Sequence, residues 1–131
     1  MRKQYHFWPS DRGLLAWDVD RLVALSKDLP RIRIPVTKIA ELDQVYWFDD
    51  DDQRPTCRRV LEHMRLIEEA DLAYPILLAA DGRVMDGMHR VAKAVLDGRE
   101  SIVAVRFAAT PAPDHVGRKP SEFPYPDAGS S

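Results

Sequence analysis

The stretch that most constrains this chain is residues 74–107, YPILLAADGRVMDGMHRVAKAVLDGRESIVAVRF, because four elements can be read from it in one run. An apolar segment over 74–79 meets Asp81-Gly82, a pair that tolerates positive φ, so residues 83–85 are expected to return as the second strand of a tight hairpin. Asp86-Gly87 breaks that strand. From Met88 to Asp97 the apolar positions Val91, Ala94 and Val95 fall at helical spacing and Gly98 supplies a stop, which predicts a ten-residue helix. Residues 101–107 then alternate Ile102, Ala104 and Arg106 with Val103, Val105 and Phe107, the pattern of a strand.

The chemistry concentrates where the hairpin meets the helix. Gly87 allows close approach of the backbone, and His89 and Arg90 fall in the first helical turn, where free N–H groups and the helix dipole favour an anion such as phosphate. Arg90 has the fork geometry to grip phosphate oxygens, and His89 the pKa to donate a hydrogen bond or move a proton near neutrality. A purely structural reading fits the same five residues: a helix capped by Asp86, a turn at Gly87 and two solvated side chains. The bare motif leaves both open.

The stretch resembles the ParB/sulfiredoxin superfamily, whose hallmark is a Gly-x-x-Arg or Gly-x-His-Arg box at a helix start after a β-hairpin. Here the box is Gly87-Met88-His89-Arg90, and the resemblance spans residues 32–107. It implies a bound nucleotide di- or triphosphate (ATP, ADP or CTP), held through its phosphates by Gly87, Met88, His89 and Arg90; a Mg²⁺ bridging to those phosphates is the expectation from the aspartate run that begins at Asp49. Sulfiredoxins place a catalytic cysteine where this chain has Met88, and a thioether cannot attack as a thiolate does, so sulfiredoxin activity is not expected. ParB itself is a CTP-dependent DNA clamp whose box resembles Gly-Glu-Arg-Arg and whose chain continues into a helix-turn-helix domain; 131 residues are expected to leave no room for one. The ADP-dependent free-serine kinase carries Asp-Gly-His-His-Arg, similar to Asp86-Gly87-Met88-His89-Arg90 at four of five positions. That branch implies phosphotransfer to a small hydroxyl compound, with Glu41 as general base, His89 beside the phosphate and Asp86 orienting metal or substrate. The ParB branch implies a nucleotide-binding switch or protein-interaction module without turnover.

Around this core the expected architecture is α/β in the broad sense (α+β): a small mixed sheet with helices packed around it, one domain over residues 1–110 and a Pro-rich C-terminal tail over 111–131. Phe123 and Tyr125 of the tail are expected to dock on the body. With Lys+Arg 19 against Asp+Glu 21 and a formal charge of −2, strong binding to duplex DNA is not expected. A single cysteine excludes an internal disulfide, and no apolar run reaches the length of a membrane span, so a cytoplasmic protein without membrane association is expected. Oligomeric state is not legible.

The flanking segments carry weaker signals. Tyr5, Phe7 and Trp8 precede Pro9-Ser10-Asp11-Arg12-Gly13, which predicts an extended segment, its aromatics packed as a lid, and then a turn. Residues 18–28 space Val19, Leu22, Val23 and Leu25 as one helical face. Residues 31–36 alternate as a half-buried strand, followed by a turn or helix over 37–42 in which Glu41 and Asp43 are either general-base candidates or solvated, capping carboxylates. Residues 44–48 are expected to be extended and largely buried. Asp49 leads four consecutive aspartates and is the metal candidate, the alternative being a solvated loop. Pro55 suits a first helical position, and Cys57, Val60, Leu61, Met64 and Ile67 form the apolar stripe of the longest helix, over 56–72, with Cys57 as a small buried residue. Arg58, Arg59, His63 and Arg65 fall off that stripe and face either phosphates or solvent.

Overall fold

The hairpin, the helix and the strand form in the order expected. In the computed structural model, which describes residues 4–48 and 54–119, the elements are β1 (Tyr5–Trp8), β2 (Leu15–Asp18), α1 (Val19–Ser26), β3 (Ile32–Pro35), α2 (Cys57–Glu69), β4 (Ile76–Leu78), β5 (Val84–Asp86), α3 (Met88–Leu96), β6 (Ser101–Arg106) and β7 (His115–Val116). Two short 3-10 turns, Val36–Lys38 and Ala40–Asp43, follow β3. No helix among the described residues is long and apolar enough to cross a membrane.

The central sheet has the order β3-β6-β4-β5 and is mixed: β6 runs parallel to β4, and the other neighbours are antiparallel. The parallel pair needs a crossover, which α3 supplies. At the hairpin tip the Ala79 carbonyl accepts the Gly82 N–H at 2.9 Å, and Gly82 takes a φ of +92° that other residues adopt only under strain. Asp81 locks the turn by accepting from the Arg83 N–H at 3.0 Å and from Arg83 Nε at 2.8 Å.

Strand alternation divides the core between the two faces of this sheet. Ile76, Leu78, Val84, Ile102 and Ala104 face α3, where they pack with Met88, Val91 and Ala94 and with Val36 and Ile39 from the first 3-10 turn and its end. Leu77, Ala79, Met85, Val105 and Phe107 face the other way, onto Trp17 and Leu22. The sheet is therefore covered on both sides, and β6 buries Ile102 and Ala104 on one face and Val105 on the other.

The second cover is a three-stranded sheet of order β1-β2-β7 that the sequence patterning did not announce. The extended segment and turn at the N-terminus are as expected: Ser10 and Gly13 exchange backbone hydrogen bonds of 3.0 and 3.1 Å. Trp8, His6 and Trp17 stack edge to face or tilted within 5.0–5.8 Å of one another. The Pro-rich segment does not begin as a free tail. Trp17 Nε1 donates to the Pro111 carbonyl at 2.8 Å, Asp114 accepts from the Asp18 N–H and from Arg21, and His115–Val116 pairs with β2. The folded unit thus includes β7, after which the Gly117 N–H donates to the Leu14 carbonyl; Phe123 and Tyr125 lie outside the described residues.

Several predicted faces are corrected. In α1 only Leu22 and Ser26 are buried, while Val23 and Leu25 are 43 % and 47 % exposed. β3 is an edge strand that leaves Ile32 exposed. Residues 44–48 form no strand; Val45 is exposed, and Tyr46, Trp47 and Phe48 are half-buried. Pro55 stands before α2, whose cap is Thr56, its side chain accepting from the Arg59 N–H. The α2 stripe is rotated from the expected one: Cys57, Val60, Leu61 and Met64 face outward, and the buried residues are His63 and Ile67. The apolar positions outnumber what α3 can cover, so the face that packs is set by the α2–α3 contact and not by the count of apolar side chains.

Candidate functional site

The start of α3 is built as a close approach. Gly87, the N-cap, holds φ +101°, and a Cβ there would stand 2.7 Å from Ile76 Cγ2 and 2.9 Å from the Arg90 guanidinium. Only glycine fits this combination of conformation and space. Asp86 does not cap the helix in the expected way. Its Oδ2 accepts from Arg90 Nη2 at 2.9 Å, an i,i+4 ion pair in which both side chains are less than one-fifth exposed. Burial raises the Asp86 pKa above the ordinary carboxylate value, outweighing the opposing pull of Arg90 and of the Gly87 N–H.

Met88 points away from this junction into the core, so only its backbone belongs to the helix start. His89 lies beside α2. Its Nε2 is 2.8 Å from Nδ1 of His63, and the two rings are nearly coplanar, 17° apart. The indole of Trp47 covers both, with centroid distances of 4.6 Å and interplanar angles of 18° to His63 and 12° to His89. Phe48 closes the edge of His63 at 5.3 Å. Burial is the main cause that lowers the His89 pKa to about 4, aided by His63 and Arg90. Burial also lowers that of His63, with Glu62 opposing and Arg59 reinforcing the shift. Both imidazoles are therefore neutral at pH 7, and one donates to the other.

Of the residues anticipated from sequence, the structure brings together Asp86, Gly87, His89 and Arg90. Glu41, the candidate base, also serves as a tether. It is buried, and its Oε2 accepts the Val84 N–H at 2.7 Å, fastening the second 3-10 turn to β5. Asp43 is exposed at the end of the same turn. Asp49 lies outside the described residues, among which no group of three or more His, Cys, Asp or Glu side chains is placed to hold a metal ion. Trp47 is the site residue that sequence reasoning missed, and His63, expected to face phosphates or solvent, is instead buried against His89. The signal for His63 was its place off the α2 stripe; for Trp47 there was only an aromatic run.

A groove of about 680 Å³ lies at the opposite end of α3, lined among others by Asp71, Lys93, Asp97 and Arg99. Its lysine is already engaged, Lys93 Nζ donating to the Glu68 and Ala70 carbonyls at the end of α2. With acids and bases interleaved there, the groove has no single-sign field for a charged ligand, and the α3 start remains the better candidate. Comparison with family models, curated proteins and solved structures finds no match to this chain.

Proposed function

We propose that this chain is a nucleotide-binding domain of ParB/sulfiredoxin type that takes the phosphates of ATP, ADP or CTP at the start of α3. The observation that carries the reading is the Gly87 junction: a left-handed glycine, packed too tightly for any Cβ, opens a helix whose first turn holds Arg90 and His89. A helix start of this kind offers unpaired N–H groups and positive potential to phosphate oxygens. Arg90, oriented by Asp86, keeps further N–H donors for the ligand. An incoming phosphate would share Arg90 with Asp86, which holds the guanidinium in place from the other side.

For a phosphotransferase acting on a small hydroxyl compound, the proton acceptor would be neutral His89 through Nδ1, its Nε2 being turned to His63 and Glu41 being engaged with Val84. The engagement of Glu41 favours the alternative, a nucleotide-binding switch or protein-interaction module without turnover.

The test is calorimetric titration with ATP, ADP, CTP and GTP, with and without Mg²⁺, on the wild type and on Arg90→Ala. Saturable binding lost in Arg90→Ala supports the site; equal affinity in the variant, or no binding by any nucleotide, overturns it. Product formation with hydroxyl acceptors, lost in His89→Gln while binding persists, would distinguish turnover from switching.

A further inference from the structure

The pairing of His63 with His89 under Trp47 has a property that reaches beyond ligand binding. The two rings share one line of approach, Nδ1 of His63 to Nε2 of His89 at 2.8 Å. Such a bond needs one nitrogen with a hydrogen and one without. The neutral pair satisfies it, and a singly protonated pair does as well, but with both rings protonated two N–H groups face each other and two positive charges stand in contact. The bond also joins separate elements: His63 belongs to α2, His89 to α3, and Trp47 to the irregular segment after the second 3-10 turn.

We propose that His63, His89 and Trp47 form a proton-operated latch, closed when the imidazoles are neutral and released on acidification, that holds the Trp47 segment over the start of α3. The charged groups around the pair set its direction. Arg59 on α2 and Arg90 on α3 oppose protonation of the closed form; Glu62 on α2 favours it at His63; and Asp86, at the end of β5, is engaged with Arg90. Among the described residues, cations in the first turns of both helices, together with burial, outweigh Glu62. The open form exposes both rings to water and lets them take protons that the closed form excludes, so falling pH drives opening. Linkage makes the ratio of open to closed rise by up to about tenfold per pH unit for each proton taken up, below the ordinary histidine value of about 6.5. The latch needs no nucleotide and would operate even if the reading of the Gly87 junction were wrong.

The test uses the full chain without ligand: ¹⁵N imidazole and aromatic proton NMR from pH 8 to pH 4, with backbone amides of β4 and β6 followed in the same samples. At pH 8 one of the two facing nitrogens should carry a hydrogen and the other not, and the ring protons of His63 and His89 should be shifted upfield by the indole. On acidification the two histidines should gain protons together, below the ordinary histidine range, and lose the upfield shift as they do so, while the β4 and β6 amides stay in place. His63→Gln and His89→Gln should each abolish the joint transition, leaving the remaining imidazole to titrate alone. Independent titration of both rings near 6.5, or protonation with the indole shift retained, overturns the latch. Loss of the β4 and β6 amide pattern in the same window also overturns it, because the event is then general unfolding.

Discussion

Nδ1 of His63 stands 2.8 Å from Nε2 of His89, and this bond ties the middle of α2 to the first turn of α3. The tie explains why α2 turns a histidine inward while Val60, Leu61 and Met64 remain outside. A buried imidazole is tolerated where its polar atoms are paired, and the partner, on α3, is available on one face of α2 only.

The roof over this pair sets its protonation. Trp47 excludes water from His89, and burial is the leading cause that brings the His89 pKa to about 4. Trp47→Ala should therefore raise the His89 pKa toward the ordinary 6.5, with His63 and Arg90 keeping it from rising fully. An NMR titration of the His89 ring measures this directly. An unchanged pKa would mean that neighbouring charge, not the indole, sets it.

A second buried histidine makes stability itself depend on pH. His6 is 8 % exposed, and its Nε2 has no hydrogen-bond partner among the described residues. Burial, with Arg83 adding to it, lowers its pKa from 6.5 to about 4. Between those values the unfolded chain binds a proton that the folded chain refuses, so stability falls as pH drops across this window and does not depend on His6 above it. The full loss attributable to His6 is at most about 3 kcal/mol. Urea denaturation at pH 7 and at pH 4.5 should show a smaller difference for His6→Phe than for the wild type, the remaining slope coming from His63 and His89.

The hairpin, α3 and β6 were legible because each is fixed by local chemistry: Gly82 and Gly87 at positive φ, a 3.6-residue period over 88–96, and a short apolar, partly β-branched run over 102–105. What failed was orientation that depends on a partner. α2 has apolar residues on more than one face, so periodicity could not choose the buried one; α3 chooses it. Carboxylates serve both as bases and as tethers, and the tether was not legible because it depends on the position of the Val84 N–H, 43 residues away. The β1-β2-β7 sheet escaped notice because β7 is two residues long and arrives from a Pro-rich segment.

Gly87→Ala should damage the site and the fold together. The new Cβ would meet Ile76 Cγ2 at 2.7 Å and the Arg90 guanidinium at 2.9 Å, with φ at +101°. Ile76 is fully buried and cannot retreat, so Arg90 would be displaced from Asp86. A loss of about 1–3 kcal/mol is expected from the backbone strain alone, read as a lower urea midpoint. Gly82→Ala serves as the comparison, because its Cβ would meet nothing within 4 Å; it should cost less, carrying the strain of positive φ without the collision.

Glu41 offers a choice between a structural and a chemical role that one pair of variants separates. Its Oε2 accepts the buried Val84 N–H at 2.7 Å. Glu41→Gln retains an oxygen able to accept that hydrogen, so stability should change by less than about 1 kcal/mol. Glu41→Ala leaves the Val84 N–H without this acceptor and opens a space between the second 3-10 turn and β5, which should cost about 1–3 kcal/mol. If Glu41 acts only as a tether, any turnover found with a hydroxyl acceptor should survive Glu41→Gln and fall in Glu41→Ala in step with stability. If Glu41→Gln instead keeps its urea midpoint and nucleotide affinity but loses turnover, the carboxylate is chemical after all, and the assignment of the proton acceptor to His89 is wrong.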